Sequence, residues 1–413
     1  MMHHSFLQNL FLEAVAAADP VRVIAPYLPP LPKGRTVVVG FGKAAAQMAF
    51  ALESHWPGPL TGLVITRYGH GVPCRQIEVI EAAHPVPDKK GEDAARSIMQ
   101  IVKSLEADDL LLCLVSGGGS ALCVVPAADI TLADKQKVNE QLLKSGATIE
   151  EINCVRKHLS LIKGGQLAAA AYPASVVTLA ISDVPGDDPS VIASGPTVAD
   201  PTTFAEAREI THRYQLNLPI SVQEYLKAEK TETPKPGDEK LSRTKFRLIA
   251  TPSLSLQAAA EISKQNDIEP VILGDAIEGD AEHVGQQHAA TALSYLERAP
   301  CILLSSGETT VTVRGSGRGG RNGHYLLSLA IALEGQAGIS AIACDTDGID
   351  GSEDNAGAVI FPDTLKRAQK RDLEPQSYLA NNDSYGFFKA LGDLVLTGPT
   401  HTNVNDFRAI LIE

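Results

Sequence analysis

Short loops that combine glycine with charged or hydroxyl side chains recur in this sequence, each directly after an apolar run. The first, Gly40–Ala45 (GFGKAA), follows the run Thr36–Val39. A turn from strand to helix exposes backbone N–H groups at the helix start, where anions bind. Lys43 places a cation near the positive end of the helix dipole, which is unfavourable unless an anion binds beside both. The spacing therefore predicts an anion site that contains Lys43.

A second loop, Ser116–Ser120 (SGGGS), follows the apolar run Leu110–Val115. Consecutive glycines permit positive φ and close backbone approach, so that several N–H groups converge on one anion. Open α/β sheets also place their ligands at the carboxyl ends of strands. The residues that we predict to bind phosphate groups or a substrate carboxylate are Ser116, Gly117, Gly118, Gly119 and Ser120.

Three carboxylates, Asp183, Asp187 and Asp188, lie within six residues of one another after the apolar run Val176–Ile181. Their charges repel one another unless a cation or hydrogen-bond donors intervene. Mg²⁺ is held by one or two carboxylates together with substrate phosphates. We predict that these aspartates hold Mg²⁺ beside the nucleotide or orient the substrate hydroxyl. The sequence does not separate the two roles, and Asp183 is the one that we expect to be catalytic.

The densest basic cluster comes next, at Asn153, Arg156 and Lys157, with Lys163 shortly after. On a helix the first three lie at i, i+3 and i+4 and therefore share one face. Two interpretations stay open, a solvated basic face and an anion-binding surface.

The second half of the chain carries a loop in which arginines alternate with glycines. Glu308 follows the apolar run Cys301–Ser305, and the loop itself spans Arg314–Gly323. A guanidinium group binds phosphate or carboxylate through two parallel hydrogen bonds. We therefore predict that Arg318 and Arg321 contact an anion, with Glu308 beside the nucleotide.

An acidic loop, Asp345–Gly351 (DTDGIDG), begins like a calcium-binding loop. Ile349 stands where a third oxygen ligand belongs, so calcium is excluded. We expect Asp347 to face Mg²⁺ or the substrate. The polar loop Thr397–Asp406 near the C-terminus contributes Asn405 as a predicted nucleotide contact.

The apolar runs that precede these loops are the predicted strands. Many are continuously apolar, as parallel strands covered by helices on both faces require, which indicates the α/β class. The runs are Thr36–Val39, Leu63–Thr66, Glu78–Ala82, Leu110–Val115, Val176–Ile181, Phe246–Thr251, Pro270–Leu273, Cys301–Ser305, Ser340–Ala343 and Ala409–Ile412.

A charged segment with two prolines, residues 228–242, separates two groups of these strands. It has almost no apolar residue to contribute to a core, so it is predicted to be a linker or a long surface loop. The resulting domains are residues 1–235 and residues 243–413.

The composition limits the partners of the protein. The chain has 413 residues and a formal net charge of −13, which argues against a nucleic-acid partner. We expect no membrane segment, because no run reaches the roughly 20 apolar residues of a spanning helix. None of the six cysteines forms a C-x-x-C pair, and the N-terminus lacks a secretory pattern, so we expect reduced thiols and a cytoplasmic location.

The loop Gly40–Ala45 also matches the dinucleotide pattern G-x-G-x-x-A, which keeps an NADP-dependent reductase open. That fold requires an acidic residue after the second strand, whereas Arg67 stands there and suits a 2′-phosphate. An ATP-binding P-loop is excluded, because Val37 occupies its first glycine position and Ala44 follows the lysine.

Together, the motifs FGKAA, SGGGSAL, NCVRKHLS, ISDVPGDDPSVIASGPT, GRGGRN, DTDGIDG and GPTHTNVND resemble the glycerate 2-kinase family with a MOFRL C-terminal domain. The matches run from about Val38 to Asp406. The resemblance implies a Rossmann-like, mostly parallel-sheet N-terminal domain and a smaller α/β C-terminal domain. It also implies an active site in the interdomain cleft.

The same resemblance implies phosphorylation of D-glycerate at its 2-hydroxyl by ATP and Mg²⁺, with Lys43 and Arg321 among the catalytic residues. Members of this family are often labelled hydroxypyruvate reductase, which is the alternative that Gly40–Ala45 raises. The sequence departs from the family pattern at His401, where a glycine is usual, and at Gly323-His324, where Gln-Glu is usual. Acceptor preference therefore stays open. The sequence also leaves the oligomeric state open, with a homodimer as one candidate.

Overall fold

The computed structural model describes residues 2–229 and 232–413. Its chain divides into two compact units. The first unit is Val23–Ile249, and the second unit combines Met1–Arg22 with Ala250–Glu413.

Strands and helices alternate through most of the chain. The strands are β1 (Thr36–Phe41), β2 (Thr61–Arg67), β3 (Ile77–Ala82), β4 (Leu110–Val115), β5 (Ser175–Ile181), β6 (Thr244–Ala250), β7 (Glu269–Gly274), β8 (Gly279–Asp280), β9 (Cys301–Gly307), β10 (Thr309–Thr310), β11 (Ile339–Asp345), β12 (Gly357–Ile360), β13 (Leu394–Val395) and β14 (Asp406–Ile412).

The α-helices are α1 (Met2–Ala16), α2 (Pro20–Val23), α3 (Ala45–His55), α4 (Lys89–Val102), α5 (Gly119–Leu122), α6 (Leu132–Lys144), α7 (Ile149–His158), α8 (Gln166–Ala171), α9 (Phe204–Arg213), α10 (Ile220–Ala228), α11 (Pro252–Gln265), α12 (Ala281–Ser294), α13 (Arg321–Leu333), α14 (Thr364–Gln369), α15 (Pro375–Ala380) and α16 (Ser384–Leu391). Short 3₁₀ turns cover Ala25–Tyr27, Pro185–Asp187, Ile192–Ser194, Glu239–Leu241 and Leu296–Arg298.

The first unit is built on a six-stranded sheet in the order β3-β2-β1-β4-β5-β6. Neighbours from β3 to β5 pair in parallel. Both central strands, β1 and β4, are buried along their whole length. Their side chains share a core with helices α4 and α8, while α3 packs on β1, β2 and β4. This is the Rossmann-like strand order, with coverage by helices as the apolar runs predicted.

The second unit has a mixed six-stranded sheet in the order β13-β12-β11-β14-β9-β7. β7 and β9 are parallel, whereas the other neighbours pair antiparallel. Leu303 faces α12, α13 and α16, while Ile302 and Leu304 face α1 and α11. These strands are therefore continuously apolar because both faces are covered. A continuously apolar strand indicates that helices cover both of its faces. It does not indicate whether the neighbouring strands run parallel or antiparallel to it.

The division between the units differs from the predicted boundaries at two places. Strand β6 belongs to the first sheet, so the division follows Ile249 rather than lying within residues 228–242. Helix α1 buries Leu10 and Phe11 against α11, which joins the start of the chain to the second unit. Of the predicted linker, Lys230 and Thr231 lie outside the described residues. Glu232 is bonded to His158 of the first unit at 2.8 Å.

No helix within the described ranges is long and apolar enough to cross a membrane.

Candidate active site

The sheet of the first unit reverses its strand order between β1 and β4. The chain passes from β1 outward to β2 and β3, and then returns to the other side of β1 as β4. Ligands of open α/β sheets bind at the carboxyl ends of strands at such a point. The two glycine loops predicted from the sequence follow these two strands, so the fold brings them together.

The loop after β1 is bonded directly to the loop after β4. Lys43 donates its backbone N–H to the Gly117 carbonyl at 2.8 Å, and the Ala44 N–H donates to Ser116 Oγ at 3.0 Å. Gly42 has φ +139°, and a Cβ there would lie 2.1 Å from Ser116 Oγ. Glycine at this position therefore permits the approach that places Lys43 beside the second loop.

Residues Ser116–Ser120, named here the glycine nest, surround Gly118 in the left-handed conformation at φ +78°. A Cβ on Gly118 would lie 2.9 Å from His84 Nε2 and 3.4 Å from Lys43 Cγ. Lys43, His84 and the nest therefore line one small region. Backbone N–H groups beside a lysine and a histidine form a surface suited to an anion.

His84 was not among the predicted site residues. It follows β3 by two residues, at the same edge of the sheet as the two glycine loops. A histidine just after a predicted strand was the available sequence signal.

The loop that ends with Ser194 also reaches the nest. The hydroxyls of Ser120 and Ser194 are 2.8 Å apart, and Ser194 donates to Asn153 Oδ1 at 3.1 Å. Ala193 and Ser194 have φ +50° and +63°, a conformation that costs roughly 1–2 kcal/mol for residues with a side chain. Such strained backbone concentrates at functional sites. Asn153 of the basic cluster is thus linked to the nest, although it was not assigned to the site from sequence.

The aspartates of this loop begin two residues after β5, the neighbour of β4 in the sheet. Asp188 accepts a hydrogen bond from the Ser190 N–H at 2.8 Å, so one of its oxygens shapes the turn. Asp187 has φ +56° at the end of a 3₁₀ turn. Because β5 runs parallel to β4, Asp183 follows β5 at the sheet edge that carries the nest.

In the second unit, Arg321 is the first residue of α13 and binds three carboxylates. Its Nε donates to Asp406 at 2.8 Å, and its two terminal nitrogens donate to Glu308 at 2.7 Å and Asp345 at 2.8 Å. Burial lowers the pKa of Arg321, but the charges of Asp406, Asp345 and Glu308 outweigh burial and raise it above its ordinary value. The guanidinium is therefore a permanent cation.

The pairing of the strands explains why these carboxylates meet. Asp406 begins β14, which runs antiparallel to both β9 and β11, and pairs with Gly307 and Asp345 at their carboxyl ends. Glu308 follows β9 directly. Arg408, two residues along β14, also donates to Asp406 and is almost completely buried. We name Arg321, Glu308, Asp345 and Asp406 the Arg321 cluster.

Asp350 supports the start of α13. Its carboxylate accepts from the backbone N–H groups of Asn322 at 3.0 Å and Gly323 at 2.8 Å. Burial raises its pKa to about 6, while those backbone donors act in the opposite direction. A Cβ on Gly320 would lie 2.2 Å from Asp350 Oδ1, so the glycine before Arg321 permits this close approach.

The remaining predicted site residues of the second unit lie around the cluster. The Asp347 N–H donates to Asp345 at 3.0 Å, and Asp347 itself accepts from the Ile349 N–H at 3.0 Å. The Asn405 carbonyl accepts from Thr346, beside the first residue of β14. Arg318, in contrast, pairs with Glu353 and stacks on Tyr385, with 4.8 Å from Cζ to the ring centroid.

The positions that depart from the family pattern are strained or closely packed. His401 has φ +59°, a conformation in which glycine carries no penalty. A Cβ on Gly323 would lie 2.7 Å from Ser384 Oγ, so the usual glutamine would require that hydroxyl to move. Within the described ranges, no group of three or more His, Cys, Asp or Glu side chains is arranged to hold a metal ion.

Comparison with known proteins identifies the family of the chain. Residues 6–227 match a family described as a domain of unknown function, DUF4147, and residues 301–406 match the MOFRL family. A D-glycerate 2-kinase from Thermotoga maritima is 39% identical over 401 residues, which cover 95% of this chain and 94% of that protein. The chain belongs to the glycerate 2-kinase family with a MOFRL domain. The resemblance read from the motifs is thus confirmed.

The fold of this chain is also similar to that of a relative whose structure has been solved. The crystal structure of glycerate kinase from Thermotoga maritima aligns with a TM-score of 0.92 and 37% identity, over 100% of both chains. A protein named putative hydroxypyruvate reductase, from Agrobacterium vitis, is 54% identical over 98% of this chain and 94% of its own length. Both names that the family carries therefore occur among its relatives.

Proposed function

We propose that this enzyme transfers the γ-phosphoryl group of ATP to the 2-hydroxyl of D-glycerate and forms 2-phosphoglycerate. The observation that carries the proposal is the convergence of Lys43, His84 and the glycine nest at the point where the strand order reverses, in a chain of the glycerate 2-kinase family. Phosphoryl transfer depends mainly on positioning and on neutralising charge, which such a site supplies.

Lys43 and the nest would bind the phosphates of ATP. The backbone N–H groups of the nest would orient the phosphates through hydrogen bonds, and the Lys43 ammonium group would supply positive charge. Because the chain is acidic overall, with 49 acidic and 36 basic residues, this positive charge has to be local.

Arg321 would stabilise the transferring phosphoryl group. Its partners Asp345 and Asp406 are buried, whereas the Glu308 side chain is 53% exposed. Glu308 is therefore the partner that an incoming phosphoryl oxygen displaces at the smallest cost, while the two buried aspartates keep the guanidinium in place.

Mg²⁺ would be held by carboxylates of the first unit together with phosphate oxygens of ATP. Asp183, Asp187 and Asp188 supply carboxylates at the ligand-binding edge, and one or two carboxylates suffice when phosphates complete the shell. Asp183 and Asp188 would hold the ion, with Asp347 an alternative in the second unit. When bound, Mg²⁺ would neutralise phosphate charge.

The proposal includes a cytoplasmic location. An ATP-dependent enzyme with six free cysteines suits the reducing cytoplasm.

Two assays separate this function from the reductase that the Agrobacterium relative's name suggests. The first measures ADP release with ATP, Mg²⁺ and D-glycerate, and the second follows NADPH absorbance with hydroxypyruvate. We expect ADP release that depends on D-glycerate and no NADPH consumption. NADPH oxidation without any ADP release would overturn the proposal.

A further inference from the structure

A cavity of about 310 Å³ lies in the first unit directly beside the glycine nest. Gly118 and Ser120 of the nest form one part of its wall, together with His84. Helices α6 and α7 form much of the remainder, mostly through apolar side chains such as Leu142 and Val155. The cavity therefore opens against the residues proposed to bind phosphate.

Lysine and arginine side chains also line this largely apolar cavity, namely Lys135, Arg156 and Lys163. Lys163 is only 2% exposed and donates to the Ser120 carbonyl at 2.8 Å. Arg156 donates from Nε to Asn139 at 2.6 Å. Among the described residues, no carboxylate contributes to the electrostatic surroundings of any of the three.

Of these three side chains, only Lys135 makes contacts that explain its position by a role in the fold. Lys135 donates to the carbonyls of Arg156 and Leu159, at the C-terminal end of α7, where a cation stabilises the helix. The side chains of Arg156 and Lys163 each make one hydrogen bond with the described residues and have further N–H groups at the cavity. Burial lowers the pKa of Lys163 to about 7 and that of Lys135 well below its ordinary value, with the neighbouring basic side chains acting in the same direction.

A buried cation without a counter-charge is costly, and a bound anion removes that cost. We infer that this cavity binds the carboxylate of the hydroxy-acid acceptor through Arg156 and Lys163. The inference rests on the proposed function, which it deepens by assigning the acceptor to this cavity and the phosphates to the nest and Lys43.

The nature of the cavity favours a carboxylate over the phosphates of ATP. A triphosphate carries several charges, which largely apolar walls would desolvate, whereas one carboxylate is neutralised by two cations. A three-carbon acid is also small enough for the space. Because the nest forms part of the wall, an acid held there would place its hydroxyls next to the phosphate site.

Asn139 and Ser120 hold the two cations in position before a ligand arrives. Such preorganisation increases affinity because less side-chain freedom is lost on binding.

The test compares acceptors in the intact enzyme. Arg156→Met should raise KM for D-glycerate at least tenfold, as expected for loss of a charged hydrogen bond of about 1.5 kcal/mol or more. KM for ATP should change less than about twofold. The methyl ester of D-glycerate, which keeps the 2-hydroxyl and lacks the charge, should lose no kcat/KM in this variant. Lys163→Met should behave in the same way, and Arg156→Lys should restore part of the preference.

Lys137→Met is the matched control, because it removes the same charge from the exposed side of α6. It should leave both acceptors unaffected. An equal loss for acid and ester in both cavity variants would indicate a structural role and overturn the inference. A rise in KM for ATP alone would assign the cavity to the nucleotide and overturn it as well.

Calorimetry separates failure of this inference from failure of the proposed function. D-glycerate is titrated into the wild-type protein and Arg156→Met without ATP. If wild type releases no ADP, at least tenfold weaker glycerate binding in the variant still supports the cavity. Equal binding, or no binding to either protein, contradicts it.

Discussion

Lys43 and Arg321 are the two residues expected to act on the phosphoryl group. Lys43 lies beside His84 and backbone N–H groups of the nest, whereas Arg321 is bonded to three carboxylates. Removing Lys43 takes one cation away from the proposed phosphate site. Removing Arg321 also takes this cation away from Glu308 and from the buried Asp345, while Asp406 keeps Arg408, so the loss should affect stability as well as catalysis.

Replacing either residue by methionine should lower kcat at least 100-fold, since one well-placed donor contributes about 3 kcal/mol to the transition state. In addition, Arg321→Met should lower the free energy of unfolding by about 3 kcal/mol, because a buried ion pair is broken. Steady-state kinetics and urea unfolding measure the two effects.

The control for the arginine is Arg298→Met in the same unit, whose partner Glu269 is exposed. It should lose less than about 1 kcal/mol of stability and keep normal turnover. Near-normal turnover in both Lys43→Met and Arg321→Met would refute these assignments.

The nest offers a second comparison at the residue scale. Gly118 and Gly146 share φ +78°, but a Cβ on Gly118 meets His84 and Lys43, whereas a Cβ on Gly146 meets nothing within 4 Å. Both alanine variants should lose roughly 1–2 kcal/mol of stability from backbone strain. Only Gly118→Ala should lower kcat/KM for ATP, by an expected factor of about ten or more. Identical kinetics in the two variants would show that the nest does not contact the nucleotide.

The sequence was sufficient to predict the loops of the candidate site, but not the side chains that contact Arg321. Gly40–Ala45 and Ser116–Ser120 were predictable, because glycine and charge after a buried strand form a local pattern. The carboxylates that hold Arg321 were not, since Asp345 and Asp406 are 24 and 85 residues away from it. Only the antiparallel pairing of β14 brings them together. The individual site roles remain predictions.

At the scale of elements, each of the ten predicted apolar runs corresponds to a strand, with ends shifted by up to three residues. The strands that were missed, β8, β10, β12 and β13, have two to four residues, too few to show a pattern. The strand directions in the second sheet could not be predicted from the sequence either. A strand that is covered on both faces has the same apolar composition whether its neighbours run parallel or antiparallel.

Helix α1 is the element whose position the sequence did not indicate, and its packing can be tested. Phe11 is fully buried against Phe407, with ring centroids 6.0 Å apart, whereas Leu12 is 52% exposed. Phe11→Ala should lower the free energy of unfolding by about 3–5 kcal/mol. Leu12→Ala should change it by less than about 0.5 kcal/mol. Equal stability of the two variants in urea unfolding would contradict the packing of α1 on this sheet.

At the scale of the whole molecule, the formal net charge of −13 argues against a nucleic-acid partner. All six cysteines, which lie within the described ranges, are free, and Cys74 alone is not fully buried. Burial raises the pKa of the Cys74 thiol to about 11, so little reactive thiolate is present near neutral pH.

Thiol titration with a disulfide reagent at pH 8 should therefore find no rapidly reacting group in the native protein. Cys74 should react slowly, and all six thiols should react after unfolding in guanidinium chloride. Several rapidly reacting thiols in the native state would show that the cores of the two units are more open than the structure indicates.

Identifying the product is the most direct test of the central claim. ³¹P NMR of a reaction with ATP, Mg²⁺ and D-glycerate distinguishes phosphate on the 2-hydroxyl from phosphate on the 3-hydroxyl. The proposed function predicts 2-phosphoglycerate in an amount equal to the ADP formed. Formation of 3-phosphoglycerate, or no phosphate ester from any hydroxy acid, would contradict it.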